Sequence, residues 1–193
     1  AVEAYKKLPP GETALARLVG AHAAAKQYRE AEEAGARFEK QFPGGPLLGS
    51  VRLTLADGSF AEAQAAPADK APALLEAVIQ RYAKVIAAGS AADANAARYR
   101  SAVAHYRLKR IPQAVALLRE IPDSDRSGEL AGASLLLAEG LMAAARAPEE
   151  LVDALQAAQA LNDMQEAVSQ YQKALPAAGP LAPEVTLKLG QAL

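Results

Sequence analysis

The sequence predicts an all-α chain assembled from helical hairpins of irregular length. Three observations predict it. Roughly a quarter of the 193 residues are alanine, 51% are hydrophobic and only 5% are aromatic. Such a composition favours helices that pack closely through thin interfaces. Second, a pattern of turn, bulky apolar residue, polar pair and alanine recurs along the chain. It reads Lys26-Gln27-Tyr28-Arg29-Glu30-Ala31, Gly58-Ser59-Phe60-Ala61-Glu62-Ala63, Lys109-Arg110-Ile111-Pro112-Gln113-Ala114 and Asn162-Asp163-Met164-Gln165-Glu166-Ala167. The bulky residue suits the elbow of a hairpin, and the alanine lets two helices approach. Third, Glu3 to Pro10 reads as the second helix of a hairpin and Pro183 to Leu193 as the first helix of another. The chain is therefore expected to be a piece of a longer array. The anchoring alanines are 32, 51 and 53 residues apart, so the period is irregular.

Taken in order, helices are expected at 1–8, 12–25, 28–42 and 47–56, with a short turn of helix at 60–66. Pro67 and Pro72 mark a break before 69–88, whose apolar residues are Leu74, Leu75, Val78, Ile79 and Tyr82. Helices at 91–108, 112–120 and 128–145 follow, the last with Leu135, Leu136, Leu141 and Met142 as its apolar stripe. From 148 to 175 the sequence allows two helices parted at Asn162-Asp163 or one long helix. Hairpin alternation favours the long one. A helix at 183–193 closes the series.

The phrase Gln165-Glu166-Ala167-Val168-Ser169-Gln170-Tyr171-Gln172-Lys173-Ala174-Leu175 resembles the second helix of the tetratricopeptide repeat family. Thr186, Leu189, Gly190 and Leu193 fall on the spacing of that family's first helix, with Thr in place of the usual Trp and Leu in place of Tyr. Tyr28, Ala31 and Pro43 match its elbow aromatic, close-packing alanine and terminating proline, while Phe38 replaces a usual alanine. The resemblance implies a right-handed superhelical solenoid of tetratricopeptide-like hairpins, with residues 1–193 as a single repeat domain. An irregular all-α bundle is the rival architecture.

Charge and composition narrow the function. The chain carries 21 basic and 22 acidic residues, a net charge of −1, and no basic block, which argues against general nucleic-acid binding. It contains no cysteine, which removes disulfides and thiolate metal sites. The apolar run from Leu130 to Ala145 is interrupted by Glu139, so direct membrane insertion is not expected. His22 and His105, the two histidines, stand among small or apolar neighbours without the partners that catalysis or metal binding needs. Asp123-Ser124-Asp125-Arg126-Ser127-Gly128 resembles the opening of a calcium loop. However, Ser134 occupies the position of its bidentate glutamate, and Arg126 brings a positive charge, so a connection between helices is the better reading. Gly44-Gly45-Pro46 and Gly49-Ser50 lack the Gly-Lys-Ser/Thr ending of a phosphate loop and fit a helix stop and start. Glu32-Glu33 and Glu149-Glu150 read as solvated carboxylates near helix starts. No cofactor and no catalytic group is expected.

In tetratricopeptide arrays the first helices line a concave groove that receives peptides. Carried onto this chain, the resemblance implies Arg52 on the 47–56 helix, and Tyr99, Tyr106 and Arg107 on the 91–108 helix, as partner-binding candidates. Tyr99 and Tyr106 are seven residues apart and share one helical face. Aromatic faces with a guanidinium nearby suit an extended peptide or a helix. Alternatively the tyrosines pack on the neighbouring hairpin and the arginines are solvated. The corresponding positions of the first full hairpin, Thr13, Ala16, Gly20, Ala23 and Ala24, are too small and weakly polar to grip a charged carboxy-terminus. The expected function is a non-catalytic scaffold for a peptide or partner protein. The alternatives are head-to-tail self-association through the open ends, or a regulatory segment attached to an enzyme. The Ala/Arg/Leu-rich style resembles proteins of GC-rich bacteria, and the loose repeats resemble envelope-assembly proteins. A periplasmic or envelope setting is thus expected over the cytoplasm.

Overall fold

The computed structural model describes residues 11–146 and 154–193. Among the described residues it is all-α, with nine α-helices, four short 3-10 turns and no strand. The helices are α1 (Glu12–Ala24), α2 (Tyr28–Gln41), α3 (Leu48–Ala65), α4 (Ala71–Ala88), α5 (Ala91–Arg107), α6 (Ile111–Arg119), α7 (Gly132–Arg146), α8 (Ala154–Ala174) and α9 (Ala182–Ala192). The expected helix at 1–8, the pair Glu149-Glu150 and the start of the helix expected from 148 lie outside the described residues. The chain forms two compact units, Ala1–Ala97 and Arg98–Leu193, divided within α5.

In the first unit α1 buries Leu15, Leu18, Val19 and His22, and α2 buries Ala31, Ala34, Gly35 and Phe38. Both sets follow the i, i+3, i+4, i+7 spacing of one helical face. The two faces meet in a core completed by Val51 of α3. The hairpin is antiparallel: Glu12, at the start of α1, accepts a hydrogen bond from the backbone N–H of Leu47, beyond the end of α2 (3.1 Å). Its elbow closes with Lys26 N–H donating to Ala23 C=O and Gln27 N–H to His22 C=O, both at 2.9 Å. That pair of bonds satisfies the last carbonyls of a helix and requires a left-handed residue just beyond it. Lys26 supplies it, at φ 58°.

The same closure recurs 83 residues later. Lys109 also has φ 58°, and Lys109 and Arg110 donate to the carbonyls of Tyr106 and His105 at 2.9 Å. Thus two of the four expected elbows are real, with the same residue types at the histidine, lysine and alanine positions. A lysine held in the left-handed region carries strain that glycine lacks. Lys26→Gly and Lys109→Gly are each expected to stabilise the chain by about 0.5–1 kcal/mol. Thermal unfolding followed by circular dichroism checks this; a lower midpoint in both variants refutes it.

The other two expected elbows are helix interior. The expected helix at 47–56 and turn at 60–66 form one helix, α3, and Gly58 lies inside it. A β-carbon on Gly58 would come to 3.0 Å from the Tyr28 ring, so this glycine serves a close helix crossing rather than a turn. Phe60 instead meets the Tyr82 ring edge-on at 6.3 Å. Likewise Asn162-Asp163 lies within α8, which is continuous from Ala154 to Ala174, as hairpin alternation favoured. Asp163 faces Arg119 of α6 instead of turning the chain (2.8 Å).

In the second unit α7 is central, packed on α6 and α8. Of the stripe expected on it, Leu141 and Met142 are buried and Leu135 and Leu136 half-buried against the same core, while Ala133, Leu137 and Ala138 complete the buried face. The segment Gly128–Ala145 has a mean hydropathy of 1.3 and, by length and composition alone, is long and apolar enough to cross a membrane, a property that core helices share. Its two acidic residues, Glu129 and Glu139, leave the mean hydropathy that high. In the structure the segment opens with a 3-10 turn at Gly128–Leu130 before α7 begins at Gly132.

Candidate functional site

Among the described residues each unit carries an open cleft walled by several charged side chains, and the two are built differently. In the first unit α2 contributes Glu32, Ala36 and Glu39, spaced along one face, α3 contributes Arg52 and Leu55, and α4 contributes Arg81 and Lys84. The enclosed space is about 280 Å³. Leu55 sits low in this cleft because α2 has a glycine there: a β-carbon on Gly35 would stand 2.5 Å from a Leu55 methyl carbon. Arg52 donates from Nε to Glu39 at 2.7 Å, and Arg81 donates to Glu32. Both ion pairs are part-exposed, with side-chain exposures of 31–43%. Pairs of this kind contribute little to stability and exchange readily. Lys84 is exposed and has no ion-pair or hydrogen-bond partner among the described residues.

Arg52 is therefore the sequence candidate that lies in a cleft. Its neighbours come from α2 and α4, the second helices of two hairpins, rather than from a row of first helices. Sequence reasoning missed Glu32 as a paired group, Glu39, Arg81 and Lys84. The signal was present in the acidic positions 32 and 39 of α2 and the basic positions 81 and 84 of α4, each pair on one helical face. What the sequence did not carry was the packing that sets these faces opposite each other.

The second cleft, about 260 Å³, is lined by Glu139, Met142 and Ala143 of α7, Tyr171 of α8, and Lys188 and Gln191 of α9. Lys188 bridges Glu139 at 2.5 Å and Glu184 at 2.9 Å. The hydrogen bond it donates to Glu139, followed by that to Glu184, holds its ammonium pKa above the ordinary value. The remaining sequence candidates belong to this unit. Tyr99 and Tyr106 each pack on a glycine of α7. A β-carbon at Gly132 would stand 2.5 Å from the Tyr99 hydroxyl, and one at Gly140 would stand 2.6 Å from that of Tyr106. The Tyr106 hydroxyl donates to the Leu136 carbonyl at 2.9 Å. Burial raises the pKa of Tyr99, against a smaller opposing effect of Arg100. Burial also raises that of Tyr106, reinforced by Glu139 and Tyr171. Arg107 lies exposed at the end of α5. The two tyrosines share a face, as expected, and that face is occupied by α7.

The groups singled out for chemistry have structural partners. His22 is buried and its Nδ1 bonds Gln27 Oε1 across the elbow at 2.8 Å. In the acidic connection, Asp123 takes Lys173 and Arg126 as partners, and the Lys173 hydrogen bond, then Arg126, hold its carboxyl below the ordinary range. The Arg126 side chain is 5% exposed and also donates to Gln170 Oε1 (2.8 Å) and the Leu118 carbonyl (2.9 Å). Among the described residues no group of three or more His, Asp or Glu side chains could hold a metal ion. The cleft of the first unit thus offers charged donors and acceptors around a small apolar floor. No protein family matches this chain, and no curated protein matches it significantly.

Proposed function

We propose that this chain is a non-catalytic interaction module whose hairpins stack as a tetratricopeptide-type right-handed solenoid and hold a peptide or partner protein, with the bacterial envelope as its expected setting. The observation that carries the reading is the Arg52 cleft, where an apolar floor is ringed by exchangeable ion pairs and one unpartnered lysine. Supporting it are the two elbows that repeat one backbone closure with one set of residue types. Selection of a displayed random-peptide library on the folded chain tests it. Peptides should be enriched that bind the folded chain and not its urea-unfolded form. Failure of any peptide to prefer the folded chain overturns the proposal.

Association between copies is a second reading, favoured by α9, where Leu187 is 63% exposed. Light scattering that reports a monomer over a wide concentration range removes it.

A further inference from the structure

Resting on that reading, we infer that the cleft between α2, α3 and α4 recognises an acidic, leucine-containing segment of a partner protein, with Lys84 as the cation held ready for it. The cleft carries Arg52, Arg81 and Lys84 against Glu32 and Glu39, so one positive charge is uncompensated within the lining. That charge belongs to Lys84, exposed on α4 one turn beyond Arg81. Arg81 and Arg52 already hold carboxylates in the geometry that an incoming Glu or Asp would need, and their pairs are part-exposed. Exchanging one surface carboxylate for another sacrifices little, and the incoming one gains Lys84 as well.

Leu55 and Ala36 add an apolar contact among the charges, the chemistry that a leucine side chain would meet. This floor favours a segment that carries leucine over a nucleic-acid backbone, whose charged phosphates offer it no apolar side chain. A basic segment could exchange for the arginines as readily, but it would face Lys84 unscreened. Charge complementarity therefore favours the acidic segment for encounter and register.

The test is fluorescence anisotropy on the full chain with a labelled peptide of Glu and Leu, capped at both ends, and its counterpart with Lys for every Glu. The Glu peptide is expected to bind saturably, about tenfold or more tighter than the Lys peptide, and to weaken as salt rises. Lys84→Glu should weaken it about fivefold or more with helical circular dichroism unchanged, because Lys84 supports no other residue. The same charge change at Lys109, outside the lining, should leave binding unaltered. Equal binding of the two peptides, equal loss in both variants, or equally tight binding of an oligothymidine overturns the inference. So does an inert Glu peptide; if library-selected peptides still bind, the interaction-module reading survives that result, and if none binds, both fall.

Discussion

Tyr82→Ala is expected to destabilise the first unit by about 3–5 kcal/mol, the cost of removing a fully buried aromatic from a packed interior. Tyr82 is 0% exposed, its ring meets Phe60 edge-on, and its hydroxyl donates to Asp57 of α3 at 2.9 Å. It thus joins α4 to the middle of α3 by both packing and polarity. Tyr82→Phe keeps the ring and loses only the hydrogen bond, so its cost should fall to about 0.5–1.5 kcal/mol. Hydrogen exchange read by mass spectrometry checks both. In Tyr82→Ala, protection of α3 and α4 amides should drop by about two to three orders of magnitude. Alanine and phenylalanine variants that lose protection equally would show that the ring does not carry the packing.

Gly140→Val is expected to cost the second unit about 2–4 kcal/mol, through overpacking and loss of the phenol–carbonyl bond. The added β-carbon would come to 2.6 Å from both the Tyr106 hydroxyl and a Val115 methyl carbon. Neither neighbour yields without loss, since Val115 is buried in the core and Tyr106 must give up its bond to Leu136. Adding Tyr106→Phe and Val115→Ala should restore part of the loss, a coupling that a mutant cycle measures directly. The phenol offers a second readout. Burial holds the Tyr106 pKa above its ordinary 10.0, so displacing the ring into water should bring its titration down toward that value. Ultraviolet difference titration of Gly140→Val against the parent should show one tyrosine ionising at lower pH. An unchanged titration would mean that the ring stays in place.

The helices were legible because their signals are local. Leu15, Leu18, Val19 and His22 display the helical period without help from any neighbour, and Pro67 with Pro72 announces its break. Two elbows were legible for the same reason. The false elbows at Gly58 and Asn162 show where local reading fails. Glycine or a short polar pair marks a turn only if nothing packs there, and here Tyr28 covers Gly58 and Arg119 meets Asp163. The α7 stripe was legible only in part: Leu141 and Met142 are buried as expected, but alanines carry part of the buried face, and a pattern built on large residues overlooks them.

By itself the sequence determined the all-α class, the main helix bounds and the two lysine-closed elbows, since each depends on bonds and periodicities spanning a few residues. Tertiary structure alone decided the clefts. Glu32 and Arg81 are 49 residues apart, as are Glu139 and Lys188, and Arg119 reaches Glu166 across 47. No spacing rule joins such pairs, because their meeting depends on how helix faces rotate when small residues such as Gly35 and Gly140 let neighbours settle against them. The tyrosines at 99 and 106 were placed on a common face by helix geometry, but only packing decided that α7 would cover it.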